Sequence, residues 1–215
     1  MRKHKIKRMA AAVLAIVALA MALSSCSSRV DASAFVKSAL EMQYLGQYDA
    51  YMKCMDITED EAQELYQEGM EAEVSYLATI LGIEELSDSS EEQLVELYKQ
   101  ICLHSSFEVG EAVLTDEEAK TYSVEVTIKP INLLTLAADD LIANFSNTTD
   151  TNDPAYTEAV VEILNRHLPD IANEDAKTVT VQVLTSDEGV FYLKEEDANE
   201  IVETMIDYSS LFSYE

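Results

Sequence analysis

At Ser106 the hydrophobic repeat of this chain shortens from the 3.6-residue period of a helix to the two-residue period of a strand, and that switch orders its fold. Before it, apolar residues recur on single helical faces. Phe35, Ala39, Leu40 and Tyr44 predict a helix over 31–45, broken at Gly46, and Tyr48, Tyr51, Met52 and Met55 continue as a second, short one. Thr58 and Glu61 have the spacing of a capping box, in which hydroxyl and carboxylate satisfy each other's free backbone amides. The helix they open carries Leu65, Tyr66, Met70, Val74, Leu77 and Leu81 on one face, with Gly82 as its C-cap. Ser90 begins another, with Leu94, Leu97, Tyr98 and Ile101 facing inward.

Beyond the switch, Phe107, Val109 and Val113, then Tyr122, Val124, Val126 and Ile128, alternate with polar residues on either side of Thr115–Glu118, which predicts a β-hairpin with one buried face. Pro130 suits the first turn of a helix carrying Ile131, Leu134, Ala138, Leu141, Ile142 and Phe145. A loop over 146–153 leads to a helix capped at Asp153-Pro154, with Val160, Ile163 and Leu164, that stops before Pro169. Val179, Val181 and Val183 form a strand, Asp187-Glu188-Gly189 turns into a short strand over Val190–Leu193, and a last helix carries Ile201, Val202, Met205 and Ile206. The pattern predicts one α+β domain over 32–215, with about six helices packed on an antiparallel sheet of about four strands.

Charge is distributed unevenly. The 215 residues hold 14 Lys+Arg against 41 Asp+Glu, a net charge of −27. Five of the basic residues (Arg2, Lys3, Lys5, Lys7, Arg8) precede Met9, and no acid occurs before Asp31. Without residues 1–25 the chain carries 9 basic and 41 acidic side chains, or −32. Such a polyanion lacks the Lys/Arg clusters that bind nucleic acid by displacing counterions, and anionic head groups repel it. An apolar content of 48% with 5 Gly and 3 Pro is that of a folded chain rather than an acidic disordered one.

Met9–Leu23 is an uninterrupted apolar run of 15 residues behind that basic start. At 1.5 Å per residue it spans about 22 Å, short of the ~30 Å hydrocarbon core, so it reads as a signal-peptide core rather than a membrane span. Leu23-Ser24-Ser25-Cys26 follows and resembles the lipobox of bacterial lipoproteins: an aliphatic residue, two small residues at the cut, then a cysteine. The resemblance implies removal of 1–25 and diacylglycerol on the Cys26 thiol. A tether over 26–31 of at most ~20 Å would then hold the domain against the extracytoplasmic face of the cytoplasmic membrane.

The order of elements is similar to cystatin-like α+β folds of the nuclear-transport-factor-2-like kind, as found in small Gram-positive lipoproteins. The likeness lies in the helix leading into Leu45-Gly46-Gln47-Tyr48-Asp49-Ala50-Tyr51 and in the strand, turn, aromatic strand and helix over 179–205. It implies helices packed on a curved sheet, often around a pocket, and supplies no catalytic residue.

Residues with chemistry are sparse. Cys54 and Cys102 sit beside apolar helical positions, and the compartment permits either a bridge between them or two buried thiols. Cys102 and His104, two apart, point in different directions, so they do not form a nucleophile–base pair. Closely spaced Cys/His zinc ligands, a glycine-rich phosphate loop and a Gly-x-Ser-x-Gly elbow are all missing, and no cofactor is expected. Asp150-Thr151-Asn152-Asp153 and Glu158 are the oxygen-rich stretch, but Ala155 and Val161 replace the glycine and bidentate carboxylate of a calcium loop. The adjacent pairs Asp139-Asp140, Glu117-Glu118 and Glu195-Glu196 read as solvated faces, and Tyr44, Tyr48, Tyr51 and Tyr192 as core packing or the rim of a pocket. The expectation is a non-enzymatic, lipid-anchored module that binds a small ligand or an envelope protein. The alternative is a carboxylate-dependent hydrolase of envelope glycans or lipids.

Overall fold

A computed structural model describes residues 31–83, 85–147 and 150–208. Within them lie α1 (Ala32–Leu45), α2 (Asp49–Met55), α3 (Glu59–Ile80), α4 (Asp88–Cys102), β1 (Ser106–Val109), β2 (Val113–Asp116), β3 (Thr121–Lys129), α5 (Leu133–Asn147), α6 (Pro154–His167), a 3₁₀ turn (Leu168–Asp170), β4 (Lys177–Thr185), β5 (Phe191–Leu193) and α7 (Glu195–Met205). This is an α+β domain: four helices come first, then an antiparallel sheet whose strands are interrupted by α5 and α6 and followed by α7.

The sheet runs β1-β3-β4-β5, and β2 lies beside β1 along the same edge of β3. Val109 pairs with Val126 and Val113 with Ser123, so four steps along the edge oppose three on β3. The extra residue is a bulge that splits one predicted strand in two. Gly110 sits in it and donates its N–H to the Glu125 carbonyl at 2.8 Å. A side chain there would approach that carbonyl to 3.3 Å. Val124, Val126 and Ile128 on β3 and Val179, Val181 and Val183 on β4 form the buried face, in the register Val124↔Val181 and Val126↔Val179.

α1 lies between that face and the outer helices. Phe35, Val36, Ser38, Ala39, Leu40, Met42, Gln43 and Tyr44 are all buried, so most of the helix is enclosed and a narrow stripe of Ala34, Lys37 and Glu41 reaches solvent. Asp31 accepts from the Ser33 amide at its start, and Gly46 ends it in the left-handed conformation at φ 63°. Thr58 and Glu61 form the reciprocal capping box at the start of α3. Two boundaries differ from the sequence reading. α4 begins at Asp88, because the Ser87 hydroxyl accepts from the Ser90 amide and is the cap. Pro130 opens no helix. It follows β3, and Ile131 bridges both Asn173 and Ile206, stitching the C-terminal segment to the sheet before α5 starts.

The optional Cys54–Cys102 bridge is not formed; both are free thiols. The lipobox Leu23-Ser24-Ser25 and Cys26 lie outside the described residues. Among the described residues no helix is long and apolar enough to cross a membrane.

Candidate functional site

Two loci concentrate polar groups, one inside the helical layer and one on its surface, and both draw on α3.

The inner locus is built on Glu73, fully buried one turn beyond Gly69 and on the face of Met70, Val74 and Leu77. The Tyr98 hydroxyl on α4 donates to its Oε2 at 2.8 Å, and Tyr44 on α1 donates to Oε1 at 3.4 Å. Burial without a cation pushes the Glu73 carboxyl up to about 7, against the pull of the Tyr98 and Tyr44 hydrogen bonds. The Tyr208 ring meets Tyr76 edge-on at 5.4 Å, and its buried hydroxyl faces Tyr98. Cys102 completes the surround; burial, then the nearby Glu73, raises its thiol well above the ordinary value. Burial likewise raises Cys54 to about 11, so neither thiol is an activated nucleophile. Next to this cluster the Gln43 amide is buried against Gly69 with neither its oxygen nor its nitrogen hydrogen-bonded. A methyl group on Gly69 would run into that amide, so the glycine makes the room that the Gln43 side chain occupies.

The outer locus is a solvent-open groove of about 700 Å³ between α3, α4 and α6. Glu71, Asp88, Glu91, Glu92 and Glu96 line it with Lys99 as the single basic group, and Val95, Leu97 and Val161 supply apolar floor. Lys99 is committed to the wall: its Nζ donates to Gln67 at 2.9 Å and lies 5.5 Å from the centre of the Tyr66 ring. Gln67 in turn donates to Glu71 at 2.9 Å. The groove therefore presents carboxylates around a narrow apolar strip, which suits a cationic or amphipathic cationic ligand. It holds no thiol and no histidine, and the described residues contain no group of three or more His, Cys, Asp or Glu side chains able to hold a metal ion.

Elsewhere the predicted candidates have structural work. Cys102 is buried while His104 is exposed, so the two do not act together. In the oxygen-rich stretch Asp150 accepts from the Asn152 amide and Asp153 caps α6 through the Ala155 amide. Thr151 donates to the Gly82 carbonyl at 2.7 Å, and Asn152 accepts from the Glu85 amide. This loop is thus pinned to the α3–α4 connection rather than merely solvated, and Glu158 is exposed beyond it. Asp140 pairs with Arg166 at 3.1 Å and His167 at 3.2 Å, holding α5 to the end of α6. Tyr44 and Tyr51 are core residues, whereas Tyr48 packs edge-on against Tyr66 beside Gly46. Sequence reasoning passed over Glu73, although its place on the face between Met70 and Leu77 is a readable signal.

No protein-family model matches the chain, and no curated protein does. Among solved structures it is similar to the crystal structure of the "putative lipoprotein (ycdA)" of Bacillus subtilis, with a TM-score of 0.59 at 19% identity. The match covers 82% of this chain but 56% of that one, so this chain spans little more than half of the structure it matches. At this identity the likeness establishes the fold.

Proposed function

We propose that the protein is a lipoprotein anchored through Cys26 to the outer face of the cytoplasmic membrane. Its domain is a non-enzymatic binding module that takes a cationic ligand, or a basic segment of an envelope protein, in the groove of α3, α4 and α6. The observation that carries the binding reading is the groove: about 700 Å³, open to solvent, lined by five carboxylates around an apolar strip, with its one lysine tied into the wall. The Leu23-Ser24-Ser25-Cys26 sequence supports the anchor, and so does the description of the structural neighbour as a lipoprotein. The hydrolase alternative needs a pair of carboxyls facing one pocket with one of them held protonated. The acid that is so held, Glu73, is wholly buried and does not line the groove.

Two measurements test this reading. Cys26→Ala should abolish incorporation of a labelled fatty acid and leave the unprocessed precursor; labelling and processing like those of the wild type would refute the anchor. Titration with spermine or a short oligolysine should show saturable, salt-sensitive binding that Glu91→Gln/Glu96→Gln weakens several-fold. Binding unchanged by those substitutions would place the site elsewhere.

A further inference from the structure

We propose that Glu73 is a proton-binding site that ties the packing of the helical layer to pH: α1, α3, α4 and the segment that carries Tyr208 pack tightly around the protonated carboxyl and loosen when the proton leaves.

The geometry is that of a neutral acid. Glu73 has no exposed surface, and the groups that face it are Tyr44 from α1, Tyr98 and Cys102 from α4, Tyr76 from α3 itself and Tyr208 from the C-terminal segment. All are neutral, and none is a cation. A carboxylate in that setting pays the cost of desolvation with two tyrosine donors alone, one of them at 3.4 Å. Protonated, the same group is satisfied: Oε2 accepts from Tyr98 at 2.8 Å, while a proton on Oε1 has the Tyr44 oxygen 3.4 Å away. Four segments distant in sequence meet at this carboxyl, so its charge is felt by all of them together.

The sign follows from linkage. The folded-state carboxyl titrates near 7 and the unfolded one near 4.5, so between those values the folded chain binds the extra proton. Stability is full below the unfolded value and falls as pH rises through the folded one. The informative quantity is the difference between the wild type and Glu73→Gln, because every other ionisable group is common to both.

The experiment is urea unfolding of the full chain in neutral detergent from pH 5 to 8.5, with Glu73→Gln alongside. In the wild type the folding equilibrium constant should fall by roughly 100-fold across that range, and in Glu73→Gln by far less. Equal slopes in the two proteins would overturn the proposal. Infrared titration of the native wild type reads the same site without a variant. A protonated-carboxyl band should disappear near neutral pH, and in Tyr98→Phe, which removes a donor to the ionised form, it should persist to higher pH. A wild type with no such band above pH 6 would also overturn it. Loss of groove binding in any variant leaves this test untouched, because the groove and Glu73 are read separately.

Discussion

Glu71 and Glu73 stand two residues apart on α3 and meet opposite surroundings. Glu71 lies on the wall of the groove, half in water, taking a hydrogen bond from Gln67. Glu73, turned some 200° around the same helix, is enclosed by tyrosines and lifted to a titration point near 7. The pair teaches that in a chain with 41 acids, charge count says little about any one carboxyl; helical phase decides which is solvated and which is a core residue.

Truncating each of the two should break the symmetry most visibly. At pH 6, Glu73→Ala leaves a cavity and strands the Tyr98 and Tyr44 hydroxyls, at a cost of about 3–4 kcal/mol. Glu71→Ala, on a wetted face, should stay within about 0.5 kcal/mol of wild type. Urea midpoints of the two variants check this; a similar loss in both would mean that burial does not separate them. Gln43 sharpens the same contrast from the other side. It is as buried as Glu73 but lacks partners, so Gln43→Leu should stabilise by about 1–2 kcal/mol, measured as a rise in thermal midpoint.

How far the sequence discloses this depends on range. Features closed within a few residues are legible: the Thr58/Glu61 capping box, the Gly46 break, the Asp153 cap and the alternation of Val179, Val181 and Val183 all appear where their spacing puts them. The split of the first strand was half-legible, since Gly110 inside an alternating run signals a bulge, yet the two-for-one pairing is set by β3. Pro130 misleads because the proline is equally at home after a strand, and Ile131 is claimed by partners 42 and 75 residues away. The candidate sites lie at the far end of this scale. Glu73 shares the apolar face of α3, a readable anomaly, but its donors come from 29 and 25 residues away, and no local rule supplies them. The groove needs three helices at once.

The smaller effects test the surface side of the comparison. Thr58→Ala removes the cap of α3, the helix that carries both acids, and should cost about 1 kcal/mol with no change in the pH dependence assigned to Glu73. The check is a urea midpoint shifted equally at pH 5 and 8.

Least costly of all should be changes in the groove itself. Glu91→Gln/Glu96→Gln alters two of its five carboxylates and none of the core. Its stability should match wild type within about 0.5 kcal/mol, because exposed charges on a crowded acidic face repel one another as much as they attract Lys99. Binding of a cationic probe should nonetheless weaken, and more so at low salt, where screening is least. A variant that loses stability and keeps binding would invert the division between the two acids of α3: the outer carboxylates would then be structural, and the ligand would have to find its countercharge elsewhere.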